Sequence, residues 1–177
     1  MSTQAIAQSL ERLRTVLVRR PEFGQGDDAP ATARWQGGLH AVATHANGAQ
    51  LETDMPAELG GSGEGVTPGW LFRAGLGSCA VTSIAMQAAA AGIELTTLQV
   101  SVHSRSDARG LFAMFDVQGQ RISAAPSQLE LRVRIAAHGA TASQLQALVA
   151  TGCKCSPIPN AVEQALPLAL QVEVVSA

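Results

Sequence analysis

The chain has 177 residues, of which 46% are apolar and 3% aromatic, and its 14 acidic and 12 basic residues leave a net charge of −2. This length suits one compact domain or one subunit of an oligomer, with a core of Ala, Val, Leu and Ile because the chain has no Tyr and few other aromatic residues. The basic residues are scattered, so no Lys/Arg cluster is dense enough to bind a nucleic-acid backbone.

The polarity of two segments bears on where the protein resides. Glu11 and several arginines interrupt the first twenty residues, which excludes a signal-peptide pattern there. Residues 75–93 carry no charge but include Ser, Thr and Gln, so we expect a buried helix and no membrane span. We therefore predict a cytoplasmic protein, whose three cysteines serve catalysis, redox sensing or metal binding and not a structural disulfide framework.

The N-terminal segment divides from the rest of the chain. Residues 3–19 carry apolar side chains at helical spacing and predict an amphipathic helix. Residues 21–30 are polar and contain Gly, Asp and Pro, as linkers do. We thus expect an N-terminal helix and linker over residues 1–30, followed by one domain over residues 31–177.

The first part of that domain predicts a hairpin, a loop and a long helix. Extended segments at 31–46 and 49–54 flank an Asn47-Gly48 turn, and residues 58–65 form a glycine-rich loop. Thr67-Pro68 then reads as a helix start and Gly92 as its end. The helix between them is small or apolar on nearly every face, so it should be buried all round. One stripe of this helix carries Phe72, Gly75, Cys79, Ser83 and Met86.

The second part predicts strands at 95–104, 111–117, 128–137 and 168–175, with a turn at 107–110. A helix from 142 should stop at Gly152, and a short helix should follow Pro159. The order of elements indicates an α+β fold in which mostly antiparallel strands cover helices.

Cys79 admits two interpretations. A cysteine in an apolar helix can be a small hydrophobic residue and nothing more. Alternatively, its place on the stripe of small residues could turn its sulfur toward a pocket or a partner.

Cys153-Lys154-Cys155 admits three interpretations. One of the pair could be a resolving thiol that forms a disulfide with oxidised Cys79. The pair could be half of a metal site, although the four histidines are dispersed and show no metal-ligand spacing, so we predict no metal. The two cysteines could also be incidental.

Two motifs together resemble the OsmC/Ohr superfamily of bacterial thiol-dependent hydroperoxide reductases, in its OsmC-like branch. The run from Val66 to Cys79 (VTPGWLFRAGLGSC) is similar to the central-helix motif, in which a cysteine follows a proline by about eleven residues. The run from Cys155 to Ala161 (CSPIPNA) is similar to the second-cysteine element, a cysteine beside a proline before a short helix. The resemblance covers roughly residues 31–175.

The resemblance implies a fold and a chemistry. Antiparallel sheets would wrap around long central helices in an intertwined homodimer with two interfacial sites. Cys79 would attack an organic hydroperoxide, or hydrogen peroxide, as the thiolate and become a sulfenic acid. Cys155, or alternatively Cys153, would then resolve it as a disulfide for reduction by an external dithiol or a lipoylated protein. No metal or organic cofactor is implied, and Phe72, Leu76 and Met86 could line the pocket for the peroxide's alkyl group.

The sequence departs from the family pattern at three places. Gly69 stands where the peroxidase branch has glutamate, and Leu39 stands where it has the arginine that lies beside the reactive sulfur. Arg34, Arg73 or His40 could activate the thiol instead. Aligned on Pro157, Ser156 occupies the position of the family's second cysteine. These departures keep an alternative open, namely a non-peroxidatic OsmC-like protein that binds a small molecule or senses thiol oxidation.

Overall fold

The structure is a computed structural model that describes residues 2–176, and it combines helices with antiparallel strands. The helices are α1 (Thr3–Arg19), α2 (Pro68–Ala90), α3 (Ala142–Lys154) and α4 (Pro157–Glu163). The strands are β1 (Thr32–Gly37), β2 (His40–Thr44), β3 (Gln50–Thr53), β4 (Leu95–Arg105) and β5 (Ser127–Ala137). The predicted α+β class is confirmed.

Helix α1 has the predicted bounds and packs against α2. It begins where the Ser2 hydroxyl accepts a hydrogen bond from the amide of Ala5, which satisfies one of the free donors of the first turn. No residue of α1 is fully buried, so the helix lies on the surface of the body that α2 organises.

Strands β1, β2 and β3 form an antiparallel sheet in that order. The Asn47-Gly48 turn joins β2 to β3 as predicted, with Gly48 at a φ of 89°. The prediction of one extended segment over 31–46 was wrong, because the chain reverses at Gly37 and Gly38. Both glycines have positive φ angles, 108° and 54°, which residues with a Cβ rarely adopt.

This three-stranded sheet stands apart from the helical body. Its link to the rest of the chain is a bridge between Thr53 and Val66, just before α2. β1 is exposed along nearly its whole length, and Trp35 is 76% exposed. The sheet therefore leaves apolar side chains without cover from the residues that the structure describes.

A buried carboxylate shapes the glycine-rich loop between β3 and α2. Asp54 accepts hydrogen bonds from the backbone amides of Met55 (2.7 Å) and Ser62 (2.8 Å), which closes the loop. The Ser62 side chain, followed by these amides, holds the pKa of Asp54 below its ordinary value of 3.8. A Cβ on Gly61 would overlap the carbonyl oxygen of Met55, so the loop can close only with glycine there.

Helix α2 begins and ends near the predicted signals. The Thr67 hydroxyl accepts from the amide of Trp70, Pro68 opens the helix, and Gly92 follows its end with a φ of 68°. Its buried apolar side chains are Leu76, Ala80, Ile84, Ala88 and Ala89. The expectation of burial all round is wrong for the single chain, since α1, β4, α3 and α4 cover one side and leave Trp70, Phe72 and Met86 at 39–49% exposure.

Strands β4 and β5 pair as a long antiparallel hairpin against α2. The predicted returning strand at 111–117 was wrong: Ala113 takes a φ of 52° and the segment forms turns, so the partner of β4 is the strand from Ser127. The predicted last strand at 168–175 was also wrong. Its apolar alternation is present, but the segment forms no regular secondary structure, is exposed, and pairs with no strand among residues 2–176.

Helix α3 continues past its predicted end. A capping box of Thr141 and Gln144 starts it, but Gly152 lies inside the helix and is buried, and the helix ends at Lys154. A Cβ on Gly152 would lie 2.8 Å from the Cα of Ile84 in α2. Gly152 is therefore needed for the close approach of two helices and does not terminate one.

None of the helices within residues 2–176 has the combination of length and hydropathy that a membrane span requires.

The Gly152→Ala substitution is expected to destabilise the protein by about 1–3 kcal/mol, because the added methyl group would push α3 away from the backbone of α2. Chemical denaturation measures this loss. Gly69→Ala is the matched control, since a Cβ there has only ordinary contacts and should stabilise α2 by about 0.5–1 kcal/mol. Equal effects of both substitutions would contradict the proposed close packing.

Asp54→Asn is expected to lower the melting temperature most at neutral pH. Because the fold lowers the pKa of Asp54, its stabilising contribution is complete above 3.8 and is lost as the pH falls through the lower folded value. The difference in melting temperature from wild type should therefore shrink toward pH 3. Glu58→Gln in the same loop, where no backbone amide binds the carboxylate, serves as control, and a pH-independent deficit for Asp54→Asn would contradict the assignment.

Candidate functional site

The candidate site is built around Cys79, which lies midway along α2 and is half-buried. Its side chain points to the turn between α3 and α4, where the sulfur meets the Ser156 hydroxyl. The stripe that contains Cys79 is covered in part by α4: a Cβ on Gly75 would lie 4.0 Å from the side chain of Ile158.

Two features bring the α3–α4 turn to this sulfur. Gly152 lets α3 approach the backbone of α2 at Ile84, which is about 1.4 helical turns beyond Cys79. Asn160 then holds the turn together, because its Nδ2 donates to the carbonyl oxygens of Lys154 and Ser156, both at 2.8 Å. The turn is thus held together by contacts that do not involve the Cys79 sulfur.

Two hydrogen-bond donors converge on the Cys79 sulfur. The Ser156 hydroxyl donates to Sγ at 3.1 Å, and the amide of Ile158 donates to Sγ at 3.5 Å. Ser156 is fully buried. Such donors stabilise a sulfur that carries negative charge more than a neutral one.

The three cysteines are free thiols in different environments. Cys155 is exposed and lines the same cavity as Cys79. Cys153, two residues earlier, is half-buried and does not line that cavity. Burial, and then the charge of Glu163, raise the pKa of the Cys153 thiol, which disfavours its thiolate.

A cavity of about 460 Å³ opens beside the sulfur. Seven residues line it: Cys79, Thr82, Ser83, Met86, Gln87, Cys155 and Pro157. Of the pocket residues predicted from sequence, only Met86 is among them. Leu76 is fully buried in the core, and Phe72 lies two helical turns from Cys79, about 10.5 Å along the axis.

The three candidates for thiol activation lie elsewhere in this chain. Arg73 donates to the Ser104 hydroxyl at 3.4 Å and lines a separate cavity between α2 and β4. His40 lies 3.5 Å from the carboxylate of Glu52, and Arg34 is exposed in β1. Among the described residues none of the three donates a hydrogen bond to Cys79.

Metal ligands do not cluster in the part of the chain that the structure describes. No group of three or more His, Cys, Asp or Glu side chains is arranged there to hold an ion. Within residues 2–176 the pair Cys153 and Cys155 therefore has no third metal-binding side chain beside it.

Sequence analysis missed the role of Ser156 as a donor to Cys79. It singled out Ser156 only as the residue in place of a second cysteine. A serine directly before a Pro-X-Pro helix start is the available signal, because the second proline has no amide for that serine to cap.

Several solved structures are similar to this chain over most of its length. An OsmC-like protein from Mycoplasma pneumoniae has a TM-score of 0.64 at 16% identity, over 78% of this chain and 89% of that one. An organic hydroperoxide resistance protein OsmC from Legionella pneumophila has a TM-score of 0.56 at 24% identity, over 78% and 90% of the two chains. An organic hydroperoxide resistance protein from Elizabethkingia anophelis has a TM-score of 0.56 at 22% identity, over 78% and 89%. At these identities the likeness shows a shared fold.

A search of curated protein sequences gives no match to this chain. The model of the OsmC-like protein family matches residues 61–171, which is more than half of the chain and includes Cys79 and the α3–α4 turn. The resemblance inferred from the two cysteine motifs is thereby confirmed, and the chain belongs to the OsmC-like protein family.

Proposed function

We propose that this protein is a thiol-dependent peroxidase that reduces organic hydroperoxides, or hydrogen peroxide, at Cys79. The observation that carries the proposal is the placement of one sulfur: it borders an open cavity, accepts two hydrogen bonds and shares the cavity wall with a second thiol. The names of the Legionella and Elizabethkingia relatives, both organic hydroperoxide resistance proteins, point in the same direction.

The reaction begins with the Cys79 thiolate as nucleophile. The sulfur attacks the terminal oxygen of the hydroperoxide, the S–O bond forms and the O–O bond breaks. The sulfur is oxidised to a sulfenic acid, and the alkoxide leaves and takes up a proton to become the alcohol. Met86 and the methylene groups of the cavity wall would face the alkyl part of the substrate.

Cys155 is the proposed resolving thiol. Its sulfur attacks the sulfenic acid, a disulfide forms and water leaves; an external dithiol or a lipoylated protein then reduces the disulfide by exchange. Exposure of Cys155 and its position on the cavity support this role. Cys153 is the weaker candidate, because burial disfavours its thiolate and it lies off the cavity.

The working form is proposed to be a homodimer in the cytoplasm, where a thiol reductant is at hand. The uncovered side of α2, the separate sheet with Trp35 and the unpaired segment 168–175 support this assembly, because they expose apolar side chains that a second copy could cover. A partner subunit could also bring Arg34 or His40 toward Cys79. The domain that dimerises would be residues 31–177, with residues 1–30 as an extension.

One observation favours a second candidate, a non-peroxidatic protein that binds a small molecule or senses thiol oxidation. Gly69 and Leu39 occupy the positions of the activating glutamate and arginine, and no charged group of the described chain hydrogen bonds to Cys79. An assay of peroxide consumption separates the two candidates.

The peroxidase hypothesis predicts that the purified protein consumes cumene hydroperoxide in the presence of a dithiol. Cys79→Ser should reduce the rate to that of peroxide and dithiol alone, since a hydroxyl cannot form the sulfenic acid. Cys153→Ser is the matched control and should retain most of the activity. Peroxide loss that survives Cys79→Ser would refute the nucleophile, and no peroxide loss by wild type would favour binding or sensing.

The resolving role predicts a defined disulfide. Peptide mapping of the protein after one equivalent of peroxide should show Cys79 joined to Cys155, and Cys155→Ser should instead accumulate a sulfenic acid that dimedone traps. If wild type forms only mixed or intermolecular disulfides, Cys155 does not resolve Cys79.

The homodimer predicts a solution mass of twice 18.3 kDa by sedimentation. Trp35→Glu should shift the protein toward monomer, because it places a charge on an apolar surface that the partner would cover. Gln25→Glu, in the exposed linker, is the control for the added charge. A monomeric wild type at micromolar concentration would contradict the assembly.

A further inference from the structure

Ser156 occupies the position that caps α4 but does not cap it. A serine at this position ordinarily accepts a hydrogen bond from the second or third amide of the helix. The third residue of α4 is Pro159, which has no N–H, and the amide of the second, Ile158, points to the Cys79 sulfur. The Ser156 hydroxyl makes no capping bond and donates to the same sulfur at 3.1 Å.

The Cys79 sulfur is the one hydrogen-bond partner that the described residues offer to the Ser156 hydroxyl. The serine has no exposed surface, so water does not compete for its proton. A thiolate has no hydrogen to donate and can only accept. The hydroxyl proton must therefore point at the sulfur whenever Cys79 is ionised, and loss of the hydroxyl would leave a charged atom with one weaker donor.

Hydrogen bonds from Asn160 to the backbone fix the orientation of Ser156. Asn160 donates through its side chain to the carbonyl oxygen of Ser156 and to that of Lys154, and its backbone amide donates to the same Ser156 carbonyl at 3.1 Å. These bonds hold the serine backbone while its hydroxyl reaches the sulfur. A donor held in this way loses little freedom when the sulfur becomes charged.

We propose that Ser156 is a catalytic residue, whose buried hydroxyl stabilises the negative charge of the reacting Cys79 sulfur by a direct hydrogen bond to Sγ. The inference rests on the proposed function, in which Cys79 is the reacting thiol. In the family pattern a glutamate and an arginine activate the reactive thiol. Here two neutral donors, the Ser156 hydroxyl and the Ile158 amide, would stabilise the charged sulfur instead. The inference also gives Ser156 a role that is distinct from resolution, because a hydroxyl cannot form a disulfide.

The test uses a chain in which Cys79 is the only thiol, made by Cys153→Ser and Cys155→Ser. In this background, Ser156→Ala is expected to slow alkylation of Cys79 by iodoacetamide at pH 7 by roughly threefold to tenfold. Loss of the hydrogen bond makes the thiolate less abundant. The remaining thiolate is a better nucleophile, which offsets part of this loss. The thiolate absorbance at 240 nm should fall in parallel. Neither measurement involves a peroxide.

Two comparisons distinguish the hydroxyl from general packing. Ser78→Ala removes the neighbouring but exposed hydroxyl on α2 and should leave both signals unchanged. Ser156→Thr keeps the hydroxyl and should restore most of the alkylation rate. Wild-type rate and absorbance in Ser156→Ala, or equal losses in Ser156→Ala and Ser156→Thr, would overturn the proposal. A normal thiolate signal in a protein that does not consume peroxide would refute the proposed function, and only the effect of the Ser156 hydrogen bond on the Cys79 thiolate would then stand.

Discussion

The site depends on how closely α3 can approach α2. At Gly152 the two backbones come so near that a single methyl group would overlap Ile84. This contact fixes the depth at which the following turn lies over the stripe of small residues on α2, and hence the distance from the turn to the Cys79 sulfur. The composition of the chain, rich in Ala and Gly and poor in aromatic residues, is what such close packing requires.

The polar groups around the sulfur follow from the sequence of the turn. Prolines at 157 and 159 remove two of the amides at the start of α4, so only the Ile158 amide and the Ser156 hydroxyl remain to face α2, while Asn160 binds the carbonyl oxygens on the other side. The two donors that reach the sulfur are both neutral, and Ser156 and Cys79, which meet across the site, are 77 positions apart in sequence.

Local signals in the sequence predicted most of the helices and strands, and they singled out Cys79 and Cys155, which line one cavity. The Thr67 cap, the Pro68 helix start and the alternation of β4 and β5 depend on neighbouring residues, and these elements form as expected. The errors concern what lies across space. Gly152 was taken for a helix end because its packing against Ile84 is not visible in a local pattern. The segment 168–175 has the alternation of a strand but no partner strand in its own chain. Likewise, the hydrogen bond from Ser156 to Cys79 needs the fold to be known.

The separate sheet has a consequence for spectroscopy. The chain has no Tyr and two Trp, so all of its intrinsic fluorescence above the phenylalanine range comes from Trp35 and Trp70. Both indoles lie outside the core, at 76% and 49% exposure, one on β1 and one at the start of α2. Their emission therefore reports on the surface of the molecule. A protein or ligand that covers Trp35 on the sheet would remove the indole from water and shift the emission to shorter wavelength, without an added dye.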